Sequence, residues 1–78
     1  MPTVLRIGAA RFFFYSNEGD EPPHVHVDVR GAVAEFWLDP VSFSDARGLR
    51  RHELRQLEQQ VTRHRARLLA AWHEPFRT

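Results

Sequence analysis

The segment HVHVDVRGAVAEFWL, residues 24–38, constrains the fold more than any other part of the chain. Its first six positions alternate a polar residue with valine, the period of an extended strand with two unlike faces. Arg30 and Gly31 then supply a two-residue loop, the shortest hairpin connection, and the chain returns over Ala32 to Leu38. Counting inward from that loop sets the register. Val29 faces Ala32, Val27 faces Ala34 and Val25 faces Phe36, which makes one face wholly apolar. On the other face Asp28 meets Val33, His26 meets Glu35 and His24 meets Trp37. A one-residue bulge in the turn would break this pairing, so the register is expected on condition that the loop has two residues.

A two-stranded hairpin is not stable alone in water, so the rest of the chain must cover its apolar face. TVLRI (3–7) and RFFFYS (11–16) read as further strands around a turn at Gly8-Ala9-Ala10. NEGDEPP (17–23) is a loop by composition, and Pro22-Pro23 holds the chain extended as it enters His24. Pro40 ends the hairpin, and DPVSFSDARG (39–48) reads as a connector. From about 50 to 73, Leu54, Leu57, Val61, Leu68 and Trp72 recur at helical spacing, with His64 in the same stripe and Pro75 as the stop. The expected architecture is α+β, one domain over residues 1–78. It has a four-stranded, mostly antiparallel sheet with one long C-terminal helix packed on one face. That helix takes the Val/Phe face and leaves the histidine face open or meeting a partner.

Composition removes several classes of function. With no cysteine, neither a disulfide nor a thiolate metal cage is possible. No run approaches the roughly 20 apolar residues of a membrane helix. The opening MPTVLRIGAARFFFYS, broken by Arg6 and Arg11, does not read as a secretory leader. A cytoplasmic protein with no membrane partner is expected. All 11 basic residues are arginine, and six fall between positions 50 and 67. Glu53, Glu58 and Glu74 are interspersed among them, so the helix reads as a solvated amphipathic face rather than a phosphate track.

The stretch MPTVLRIGAARFFFYSNEGDEPPHVHV, with AEFWLDPV and the terminal LLAAWHE, resembles a family of small bacterial proteins catalogued as domain of unknown function 4160. The resemblance covers essentially the whole chain and brings no established activity. It implies a neighbouring small gene and, from that layout, a pair of the toxin–antitoxin kind. Where relatives commonly carry serine before the last helix, this chain has Arg50, so a capping side chain is expected to be missing there.

The residues themselves suggest three chemistries. His24, His26 and Glu35 could act as acid and base on RNA, with Glu35 holding His26, and Arg6, Arg11 or Arg30 facing the phosphate. Trp37 would stack a base. The same three residues could form a 2-His-1-carboxylate metal site, with Asp28 or Glu21 as substitutes for Glu35; no cofactor is required, and a divalent metal is admitted. Alternatively Tyr15, His24 and Trp37, with the acidic loop Glu18, Asp20 and Glu21 and with Arg11 and Arg30, would form a surface for a protein partner, the product of the neighbouring gene. The leading expectation is an RNA-cleaving toxin, and the alternative is a non-catalytic binding module. His52, His64 and His73 are given no role.

Overall fold

The computed structural model describes residues 3–15 and 18–74. Ser16, Asn17 and Pro75, assigned above to a strand end, a loop start and a helix stop, lie outside the described residues. Five strands follow in chain order: β1 (Thr3–Ile7), β2 (Ala10–Phe13), β3 (His24–Val29), β4 (Ala32–Leu38) and β5 (Val41–Arg47). Two helices complete the chain, α1 (Arg51–Arg63) and α2 (Arg65–His73). The sheet is a meander in the order β1-β2-β3-β4-β5, antiparallel at every pairing. The α+β class and the antiparallel sheet match expectation, while the strand and helix counts each rise by one.

The central hairpin has the register that the alternation demands, from His24 opposite Trp37 to Val29 opposite Ala32. Gly31, at φ +90°, supplies the left-handed backbone of the turn, and Arg30 joins it at φ +54°. Asp28 is spent on this turn, its Oδ1 accepting the Gly31 N–H at 3.1 Å. It is also not among the side chains that converge at the start of β3, which are Glu18, His24 and His26.

The additional strand is β5, read above as a connector. Asp39 and Pro40 make a tight turn, so the proline ends β4 and starts a second hairpin at once. VSFSDAR is polar because it is an edge strand with only one neighbour to pair with, and such edges carry serine and charge. β2 is also shorter than RFFFYS, running over Ala10–Phe13.

The expected single helix bends at His64, which caps α1 and precedes α2. Hydrogen bonds from the His64 N–H to the Gln60 carbonyl and from the Leu68 N–H to the His64 carbonyl carry the ladder across the bend. Two contacts favour it. The Thr62 hydroxyl bonds back to the Glu58 carbonyl at 2.9 Å, a contact that tends to bend helices. Arg65 donates to the Leu38 carbonyl and to Asp39 at 2.8 and 2.7 Å, tying the start of α2 to the β4–β5 turn. At the other end the Arg50 side chain makes no cap, as expected, but the Glu53 carboxylate accepts the Arg50 N–H at 2.8 Å.

Leu57, Val61, Leu68 and Trp72 pack onto Phe12, Val25, Val27, Ala34, Phe36 and Leu38, so the helices cover the apolar face. Phe13 and His26 are register partners on the opposite face. No helix among the described residues is long and apolar enough to cross a membrane.

Candidate functional site

His24 and His26 begin β3 and share the face away from α1, as the period-2 pattern requires. Their environments differ sharply. The His24 ring is fully buried, at 0% exposure, although its register places it opposite Trp37 on the face expected to be open. It is enclosed by aromatic neighbours. Its centroid lies 5.5 Å from Trp37, 5.2 Å from His26 and 5.0 Å from Trp72. Trp72, near the end of α2, also packs edge-on against Phe14 at 5.3 Å, so this one side chain closes the end of the sheet.

Both ring nitrogens of His24 are engaged. Nδ1 lies 2.9 Å from the Pro22 carbonyl, which can only accept, so Nδ1 carries a proton. Nε2 lies 2.9 Å from Glu18 Oε1. The same carboxylate oxygen is 2.8 Å from His26 Nε2. Glu18 therefore bridges the two histidines. Its loop is shaped by two backbone hydrogen bonds, Glu18 N–H to the Tyr15 carbonyl and Glu21 N–H to the Glu18 carbonyl. Pro23 then joins the ladder by accepting the Leu38 N–H.

Glu35 is the correction. It stands opposite His26 in the register, yet its carboxylate approaches His24, with Oε2 at 3.8 Å from Nε2 and outside hydrogen-bond range. Glu21 stands at a similar 3.9 Å on the exposed side. Glu18 was recognisable only as part of an acidic loop. Its distance from His24 and His26 in the sequence gives no spacing signal, because the loop must fold back before the carboxylate meets the strand.

The pair's electrostatics follow from these contacts. Burial opposes charging of His24, but the Pro22 carbonyl, Glu18 and Glu35 outweigh it, and the pKa is raised above the usual histidine value. Burial likewise opposes ionisation of Glu18, while hydrogen bonds and attraction from His26 and His24 lower its pKa overall. His24 thus contributes stability that is fully present below its unfolded value near 6.5 and is lost as pH rises through the raised folded value. Glu18 contributes above about 4.5 and loses its contribution as pH falls through the lowered value. The ion pair is therefore strongest between roughly pH 4.5 and 6.5. Chelator-treated protein is expected to lose on the order of 1 kcal/mol between pH 6 and pH 8. Glu18→Gln protein, which keeps the Pro22 contact, should lose less, and urea unfolding at the two pH values measures the difference.

The other predicted residues divide clearly. Tyr15, 46% exposed, leans edge-on against His26 at 4.6 Å and Phe13 at 5.3 Å. Phe13 stacks on His26 at 5.6 Å. Arg11 lies on the same face, its guanidinium 4.2 Å above the Phe13 ring and donating to Thr3 Oγ1. Arg6 is its register partner on that face, exposed to solvent. Trp37 is half-buried beside His24. Arg30 is not part of the group: it sits at the tip of the β3–β4 hairpin, at the opposite end of β3 from His24. In its place the edge strand brings Asp45 and Arg47. With Phe13, Tyr15, His26 and Glu35 these line an open groove of about 260 Å³. Neither was recognisable as a site residue while 39–48 read as a connector.

A family model described as "Domain of unknown function (DUF4160)" matches residues 10–73, most of the chain and all of the site. Comparison with curated proteins and with solved structures finds no match.

Proposed function

The chain belongs to the DUF4160 family, whose description carries no chemistry, and from the geometry of its site we propose that it is a protein-binding module. In this reading it is the non-catalytic half of a two-component, toxin–antitoxin-like pair, and it docks its partner on the groove beside Tyr15 and His26. The observation that carries this reading is the engagement of both His24 nitrogens within a sealed ring environment. General acid–base cleavage by a histidine pair needs two imidazoles that can reach the reacting oxygens. Here neither His24 nitrogen is open to an RNA substrate: Nδ1 is held by the Pro22 carbonyl, and Nε2 faces Glu18 on a ring with no exposed surface.

Charge points the same way. Glu18, Glu21 and Glu35 surround His24, and Asp45 lines the groove with Arg47. Arg6, Arg11 and Arg47 stand on the same face, so the surface is mixed in charge, and a protein partner can match it with charges of both signs. Tyr15 supplies the aromatic, half-exposed side chain that commonly anchors such interfaces, resting on a rigid Phe13–His26 support.

The test is co-expression with the product of the neighbouring small gene. A stable stoichiometric complex on size exclusion is expected, with Tyr15→Ala weakening it at least 10-fold, or about 1.4 kcal/mol. RNA cleavage by the purified wild type that is abolished by His26→Gln in a folded protein would overturn the reading and return the chain to the nuclease class.

A further inference from the structure

We propose that Glu18, His24 and His26 form a binding site for one divalent first-row transition-metal ion, with zinc the best chemical match. This goes beyond the docking reading and stands independently of it. The donor atoms, one carboxylate oxygen and two imidazole nitrogens, lie within 4.8 Å of one another. Each Nε2 is already directed at the same Glu18 oxygen, at 2.9 and 2.8 Å.

A second, independent observation concerns the back of the site. Metal-binding histidines usually donate their other ring N–H to a carbonyl or carboxylate, which fixes the tautomer and aims the lone pair. His24 makes this contact through Nδ1 to the Pro22 carbonyl at 2.9 Å. The remaining nitrogen, on a ring with no exposed surface, points at the cluster. Only a proton or a cation can reconcile that nitrogen with the carboxylate facing it.

Size and charge are compatible. Around zinc at about 2.0–2.2 Å from each ligand, neighbouring donors of a tetrahedron stand about 3.4 Å apart. The Glu18 oxygen would retreat by about half an ångström from each histidine, a movement available to a loop side chain. Glu35 and Glu21, at 3.8 and 3.9 Å from His24 Nε2, stand close enough to offer a fourth ligand. Two imidazoles with one or two carboxylates favour zinc, iron, nickel or copper over the all-oxygen cations calcium and magnesium. The ion would join the loop that carries Glu18 to β3.

The experiment uses the full chain, stripped with chelator and dialysed. Zinc chloride is titrated by calorimetry, and cobalt(II) chloride is followed by its visible d–d absorption. One ion per chain is expected, with a thermal midpoint that rises as metal is added. Glu18→Gln and His26→Gln should each weaken binding at least 10-fold and diminish the cobalt spectrum, with folding checked by circular dichroism. His52→Ala, on the exposed face of α1, should leave binding unchanged. Absence of saturable binding would overturn the proposal. So would a stoichiometry other than one, or affinity retained in both folded ligand variants.

Discussion

Replacing His24 by alanine is expected to destabilise the protein by about 3–4 kcal/mol, more than a surface histidine could cost. The ring fills space between Trp37 and Trp72, and its removal leaves a cavity at the end of the sheet. It also strands the Pro22 carbonyl and one side of the Glu18 carboxylate. A domain of 78 residues has a total stability of about 4–12 kcal/mol, so this change takes a large share. His26→Ala, on the partly exposed side, is expected to cost about 1 kcal/mol. Urea unfolding of both variants measures the contrast. Equal small losses would mean that His24 is not packed as described. The asymmetry also governs any functional test, because a double-alanine variant reports on folding before it reports on chemistry. Glu18→Gln and His26→Gln avoid that difficulty, since both leave the His24 ring in place.

The second large effect is at Trp72, where alanine is expected to cost about 3–5 kcal/mol. Trp72 is 4% exposed and contacts Phe14 on one side and His24 on the other. Its loss should therefore do two things at once. The urea midpoint falls, and the His24 ring gains access to solvent, visible as a changed histidine resonance by NMR. A variant that loses stability while the His24 signal stays unchanged would show that α2 buttresses the core but does not seal the site. The pH effect of the Glu18–His24 pair should shrink in the same variant, because exposure to water screens the interaction.

These two residues also mark where sequence reasoning succeeds and where it stops. The alternation in HVHVDV, with a two-residue turn, determined the hairpin, its register and which residues share a face. Local geometry is enough for that, because side chains alternate strictly and a slip would bury charge. The leucine and valine spacing likewise determined that helix covers the Val/Phe face. The resemblance to its family was also carried by contiguous residues, and the family model matches 10–73.

What tertiary structure decided is of another kind. Whether VSFSDAR is a connector or an edge strand depends on β4 lying beside it, since its own residues are polar. The helix bend at His64 draws on Arg65 reaching Leu38 and Asp39, 27 and 26 positions away in the chain. Above all, the alternation that put His24 on the open face could not foresee that Trp72, 48 positions onward, would close over it. Nor could it tell which of three glutamates would meet the imidazoles. Glu35 was favoured by register, but a loop can bring Glu18 closer than a neighbouring strand can bring Glu35, because strand spacing fixes the latter's backbone while the loop is free to fold inward. Periodicity along the chain determines faces; burial and ligand geometry come from contacts between distant segments, and those set the chemistry available to His24 and His26.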